Sequence, residues 1–222
     1  MSNHKTVIVR KPWGYEYIAY QNKHVALKVL HIAFGERTSM HCHPDKTTGL
    51  VVVGGKAEIS FIADQCILTA PAKKMIRRGL FHQTLAISKQ GVVMLEVETP
   101  VDKDDLVRLK DNYGRTDSGY EGSEHELPKS SDCVWMEDPE SLTKYRIGDC
   151  EVTIERMDSI EKLLTKDKND IIMFLQGGLV KTIDGRQHLV TKPGDVGEVK
   201  VVSQVATEMD GFADNTIILT IK

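Results

Sequence analysis

The sequence predicts an all-β protein made of two antiparallel β-barrels of the jelly-roll type, with few short helices. Three observations support this prediction: apolar segments are short and nearly evenly spaced, glycines separate many of them, and the second half repeats their order. Such spacing is typical of β-sandwiches and barrels. We expect one barrel in residues 1–110, a linker in residues 111–135 and a second barrel in residues 136–222.

The first half contains the strand candidates that define the first barrel. They are rich in β-branched and aliphatic residues and are bounded by turn residues, which favours strands over helices. In chain order they are 25–34, 50–53, 56–61, 66–69, 74–77, 82–87 and 91–97.

The second half repeats this pattern, and Gly177-Gly178 follows an apolar segment as Gly54-Gly55 does. No His-x-His pair stands just ahead of Leu175 in the second half, and we expect the isolated His188 to be structural or to face solvent. We therefore predict that the second barrel holds no metal. Its strand candidates are 152–154, 170–175, 177–183, 187–190, 193–196 and 216–221.

Two short helices are also predicted. Residues 104–110 begin with acids and end with bases, which suits a helix dipole. In 159–166, Ser159 can cap a segment whose apolar residues recur at helical spacing. Residues 114–131 are rich in Ser, Gly, Glu and Asp, as a linker would be.

A candidate metal site begins with His41 and His43. Residues two apart on a strand point to the same face, so both imidazoles can enter one cavity. The intervening Cys42 would point the other way and pack. His82, arriving from another strand, would complete a set of three ligands with open positions for substrate or water.

The stretch from Gly35 to Gly55 resembles the first cupin motif, and the segment 78–82, Arg-Gly-Leu-Phe-His, resembles the second. The opening Lys-Pro-Trp-Gly, residues 11–14, is similar to cupins related to type II mannose-6-phosphate isomerase. The resemblance covers about residues 7–115 and implies a bicupin whose second half is degenerate. It also implies a divalent metal (zinc, manganese, iron or cobalt) on the three histidines.

One departure from the family pattern concerns the carboxylate ligand. The family places a glutamate about four residues after the second histidine, where this chain has Thr47 and Thr48. A hydroxyl is a poor substitute for a charged ligand. The site could therefore hold a metal on three histidines and solvent, recruit Asp45 from a reshaped loop, or bind no metal.

If a metal is present, it can act as a Lewis acid on a sugar carbonyl or polyol. An isomerase or epimerase also needs a general base, for which Glu96 and Glu98 are candidates. However, a polar strand face normally points to solvent, and we expect these two glutamates there. Lys28 and Arg37 could anchor a phosphate or carboxylate, although each can equally be an ordinary surface cation.

Three function classes follow. The resemblance implies an isomerase or epimerase acting on a sugar phosphate or nucleotide sugar. The missing glutamate would suit a three-histidine iron dioxygenase. A non-enzymatic bicupin that binds a sugar-like small molecule is the third class, because a fold does not dictate a function.

The net charge of −3 offers no field to recruit nucleic acid, and we expect no nucleic-acid partner. No run approaches the roughly 20 apolar residues of a membrane span, and we expect a cytoplasmic protein without a membrane partner. The 4 cysteines show no CxxC spacing. We expect a homodimer, in which the segment 6–20 covers its own barrel edge or adds to a neighbour's sheet.

Overall fold

The computed structural model describes residues 7–110 and 126–222, and the first range forms a barrel of ten strands. Alternating or continuous apolar residues account for most of these strands. They are β1 (Ile8–Lys11), β2 (Gly14–Gln21), β3 (Ala26–Ile32), β4 (Met40–Cys42), β5 (Thr47–Phe61), β6 (Gln65–Thr69), β7 (Ala72–Ile76), β8 (His82–Ala86), β9 (Val92–Thr99) and β10 (Val107–Lys110).

The long strand β5 belongs to both walls of this barrel. Its first part pairs with β9 and β7, and its second part pairs with β8 and β6. It bends at Gly54-Gly55, where the register against β9 shifts and Gly55 adopts a φ of 77°. A Cβ on Gly55 would lie 2.3 Å from the carbonyl oxygen of Gly91, so this bend requires glycine.

The second range contains eight strands, two helices and one turn of 3₁₀-helix at Ser130–Asp132. The strands are β11 (Thr143–Ile147), β12 (Cys150–Arg156), β13 (Ile171–Gln176), β14 (Leu179–Ile183), β15 (Arg186–Leu189), β16 (Val196–Glu198), β17 (Gly211–Phe212) and β18 (Ile217–Ile221). The helices are α1 (Ile160–Leu164) and α2 (Val199–Ala206).

The strand order confirms that the second half repeats the first. The sheet order β11-β12-β18-β13-β16 reproduces β2-β3-β9-β5-β7, and β15-β14-β17 reproduces β6, the end of β5, and β8. Gly177-Gly178 separates β13 from β14 where Gly54-Gly55 bends β5. The fold is therefore a bicupin. The second copy has α1 between β12 and β13, at the place where the first copy has β4 and the His-x-His pair.

The two halves share one hydrophobic core between their equivalent sheets. Leu27, Leu95 and Val97 from the first half lie in a single buried cluster with Ile154 and Leu219 from the second. A separate cluster fills the interior of the first barrel, and includes Trp13, Leu30, Leu50, Ile59 and Met94. One face of the sheet that contains β3 and β9 therefore points into the first barrel, and the other contacts the second half.

The predicted helix at 104–110 is wrong, because β10 lies there and pairs with β4. The unpaired edge of β4 offers backbone partners that a sequence pattern does not reveal. The second predicted helix is confirmed: the Ser159 hydroxyl caps α1 by accepting a hydrogen bond from the Lys162 N–H at 3.2 Å. The valine-rich helix α2 was not predicted. Strands β1 and β2 pair in order onto β3 and so cover an edge of their own barrel, which is one of the two arrangements expected for the N-terminal segment.

Residues 111–125 of the predicted linker lie outside the described residues. Beyond them, Met136 is buried in the shared core, and Trp135 contacts Tyr17 with ring centroids 5.0 Å apart. The division into two domains at these boundaries stays a prediction.

Candidate metal centre

The structure brings His41, His43 and His82 together inside the first barrel. His41 lies on β4 directly opposite the first residue of β8, which is His82, and His43 follows the end of β4. One ligand nitrogen from each ring lies within 4.8 Å of those of the other two. Cys42 is buried on the opposite strand face, as predicted.

Backbone carbonyls orient all three rings. The Nδ1 atoms of His41, His43 and His82 lie 2.8, 2.6 and 3.0 Å from the carbonyl oxygens of Ser39, Asp105 and Leu80, respectively. A carbonyl only accepts, so each Nδ1 carries the proton and each Nε2 keeps its lone pair. The Nε2 atoms of His43 and His82 are buried without a hydrogen-bond partner. This donor set suits a divalent metal.

Burial keeps these imidazoles neutral. It lowers the pKa of His82 to about 4 and also lowers the pKa values of His41 and His43. The neighbouring rings act in the same direction on His41 and His82. Neutral imidazole is the form that binds metals, so the site is ready for a cation near pH 7.

Two carboxylates and two ammonium groups lie beside the histidines. Glu98 Oε1 lies 3.6 Å from His43 Nε2, and Glu98 Oε2 lies 2.8 Å from Lys28 Nζ and 3.4 Å from Lys46 Nζ. Glu96 Oε1 lies 3.5 Å from Lys28 Nζ. The formal charges of these four side chains cancel when all are ionised.

The surroundings shift the pKa values of Glu96 and Glu98 in opposite directions. Burial raises the pKa of Glu96, and the neighbouring Glu98 raises it further, although Lys28 opposes both. Burial also disfavours the charged form of Glu98, but the ammonium groups of Lys28 and Lys46 outweigh it and hold its pKa below the ordinary value. Two carboxyls on one strand face therefore differ in their readiness to carry a proton.

The expected exposure of Glu96 and Glu98 is wrong: they are 8% and 4% exposed. Their neighbours Leu95 and Val97 point into the core shared with the second half, so the glutamates face the barrel interior. The face that a single barrel would leave to solvent is covered here. Lys28 points to the same interior and is a partly buried ion-pair partner rather than a free surface cation.

Arg37 and Asp45 do not join the cluster. Arg37 pairs with Leu85, and residues directly opposite in a ladder share a face. Leu85 alternates with the inward-facing Thr84, so Arg37 lies on the face opposite to His82. Asp45 is exposed, and its backbone N–H donates a hydrogen bond to the Asp105 carboxylate. The structure therefore does not bring the Asp45 carboxylate to the three histidines.

Asp105 and Lys46 are components of the site that sequence reasoning missed. The Asp105 carbonyl holds His43, and its carboxylate accepts hydrogen bonds from the backbone N–H groups of Asp45 and Lys46, the latter at 2.8 Å. The sequence signal for Asp105 is an acidic residue ahead of an alternating segment, a pattern that also fits the start of a helix. His188, by contrast, is exposed on β15, which is one of the two placements expected for it.

The antiparallel double barrel with three inward histidines defines a cupin. The model for the mannose-6-phosphate isomerase C-terminal family matches residues 1–111, which is half of the chain. The chain belongs to this family.

Relatives match the same half. The xanthan biosynthesis protein XanB of Xanthomonas campestris is 27% identical over 110 residues, covering 49% of this chain and 24% of that protein. The alginate biosynthesis protein AlgA of Pseudomonas aeruginosa is 29% identical over 115 residues, covering 49% and 23%. The chain thus spans about a quarter of the length of these relatives.

Solved structures with a similar fold include the capsular polysaccharide assembling protein CapF of Staphylococcus aureus. It is 17% identical with a TM-score of 0.44, covering 47% of this chain and 34% of that chain. An RmlC-like cupin of Shewanella frigidimarina is 16% identical with a TM-score of 0.41, covering 45% and 88%.

Neither α-helix in the described ranges has the length and hydrophobicity of a membrane span.

Proposed function

We propose that this protein is a metal-dependent cupin that acts on a sugar phosphate or nucleotide sugar as an isomerase or epimerase. The observation that carries the proposal is the convergence of three neutral imidazoles, each held through Nδ1, with a buried glutamate pair in the same interior. The names of XanB and AlgA, which refer to polysaccharide biosynthesis, support a substrate of this class.

Each residue has a role in this proposal. His41, His43 and His82 hold the metal, which would polarise a substrate carbonyl when bound. Glu96 moves a proton at the carbon next to that carbonyl, because burial brings the proton affinity of its carboxylate closer to that needed near neutral pH. Lys28 keeps the Glu96 carboxylate in place through its ammonium group.

The first experiment measures metal content and proton transfer. Protein purified without chelator or nickel resin is analysed for metals and then incubated in D₂O with sugar phosphates and nucleotide sugars. We expect deuterium to enter the substrate next to the carbonyl, detected by NMR, and Glu96→Gln to lose this exchange while still binding metal. Absence of exchange across the panel would contradict the isomerase or epimerase activity.

The same preparation separates the alternatives. Stoichiometric iron with substrate-dependent oxygen uptake would indicate a dioxygenase. Saturable sugar binding without exchange would indicate a binding bicupin. We also propose a cytoplasmic homodimer, whose subunit number sedimentation velocity would measure.

A further inference from the structure

We infer that Glu98 supplies the carboxylate ligand of the metal centre, from strand β9 instead of the loop that follows the His-x-His pair. The inference rests on the proposed metal site and extends it by one residue. It assigns a ligand to a site from which the family's glutamate is missing.

Position on the sheet is the first argument. Thr48, one of the two threonines at the place of the family's glutamate, pairs directly with Glu98 across β5 and β9. Directly opposite residues have Cβ atoms about 5 Å apart on one face. Because threonine is short, the longer Glu98 side chain can bring a carboxylate to the region that a glutamate at residue 48 would occupy.

The second argument concerns two lone pairs. His43 Nδ1 is committed to the Asp105 carbonyl, so the neutral ring presents a lone pair at Nε2. Glu98 Oε1 lies 3.6 Å away, and both atoms are buried without a hydrogen-bond partner. Two buried acceptors facing each other repel, and a cation bound by both removes the repulsion.

The third argument is that the two oxygens of Glu98 have separate roles. Oε2 faces Lys28 and Lys46, whose ammonium groups fix the carboxylate and keep it ionised. Oε1 faces His43, 3.6 Å from its Nε2. A ligand oriented by groups behind it is the arrangement common in protein metal sites.

The test uses Co²⁺, which can be followed by calorimetry and by visible absorption. Glu98→Gln keeps the shape of the side chain and removes the charge, and we expect the Co²⁺ affinity to fall at least about 10-fold, the lower end for loss of an outer-shell partner. Glu98→Asp keeps the charge but shortens the side chain, which moves the carboxylate away from His43, and should also weaken Co²⁺ binding. Glu96→Gln, on the same strand face, is the matched control and should bind nearly as the parent does.

A relocation variant makes the test specific. Thr48→Glu in the Glu98→Gln background returns a carboxylate to the family position and should restore Co²⁺ affinity. If Glu98→Gln binds Co²⁺ like the parent while His82→Ala does not, Glu98 is not a metal ligand, and the proposed three-histidine site remains supported. If the parent protein binds no Co²⁺, both proposals fall. Circular dichroism melting confirms that each variant is folded.

Discussion

The substitution Asp105→Ala should destabilise the protein and loosen the metal centre together. Asp105 is 8% exposed, and its carboxylate accepts hydrogen bonds from two consecutive backbone N–H groups in the loop after the His-x-His pair. Its backbone carbonyl also holds His43. The variant keeps that carbonyl but removes the carboxylate that ties the loop to β10.

The magnitude follows from the exposure of the two donors. A hydrogen bond to a charged group contributes about 1.5–3 kcal/mol, and an abandoned buried donor costs about 1–3 kcal/mol. Lys46 is buried, so its N–H loses its partner without gaining water, whereas the exposed Asp45 can be rehydrated. We expect a total loss of about 3 kcal/mol, and about 1 kcal/mol for Asp105→Asn, which keeps one acceptor oxygen.

Urea-induced unfolding of metal-free protein measures the loss, and Co²⁺ calorimetry measures the effect on the site. Metal affinity should fall about 10- to 100-fold, as for other partners that orient ligands. A stability of Asp105→Ala within about 0.3 kcal/mol of the parent, less than one ordinary hydrogen bond, would refute the reasoning.

Three further predictions concern the remaining fold. Leu95→Ala should cost about 2–5 kcal/mol in urea unfolding because it opens a cavity in the shared core, whereas Ile67→Ala, at an exposed position, should cost within about 0.5 kcal/mol. Glu155→Gln should cost about 2 kcal/mol near pH 7, because the buried carboxylate binds Lys166 and a half-exposed Lys162. A fragment of residues 1–110 should be aggregation-prone in light scattering, since its sheet exposes the apolar face that the second half covers.

The pH dependence of the Glu155 prediction has a definite sign. Burial alone would raise the pKa of this carboxyl, but the hydrogen bonds and charges of its lysine partners outweigh burial and hold the pKa below its ordinary value of 4.5. Its contribution is therefore complete above pH 4.5 and is lost as the pH falls through the native value. If the difference in unfolding free energy between the parent and Glu155→Gln grew on acidification, this assignment would be contradicted. The shared-core prediction would be contradicted by a 1–110 fragment that is monomeric and unfolds cooperatively.

The sequence was sufficient for the barrel and for the histidines, because both are local patterns. His41 and His43 share a strand face by periodicity, and glycine pairs mark where strands turn or bend. The repeat of the strand order was also visible in the spacing of segments in the second half. These features depend on two-residue alternation and on turn chemistry, which a sequence carries directly.

The orientation of Glu96 and Glu98 could not be predicted in the same way. Both faces of β9 are buried, one in the barrel and one against the second half, and alternation alone does not say which face is which. The error on residues 104–110 has a similar cause, because β10 exists through pairing with β4. The valines of α2 have higher strand than helix propensity, and tertiary packing overrides it.

The support of the histidine rings by carbonyl oxygens has a practical consequence for engineering. Every amino acid carries that oxygen, so the residue at position 80 can be exchanged without deleting the contact that orients His82, whereas the buried Ser39 also contacts His41 through its hydroxyl. Leu80 is 39% exposed, which leaves room for varied side chains. Substitutions at this position should therefore leave the hydrogen bond that orients His82 intact.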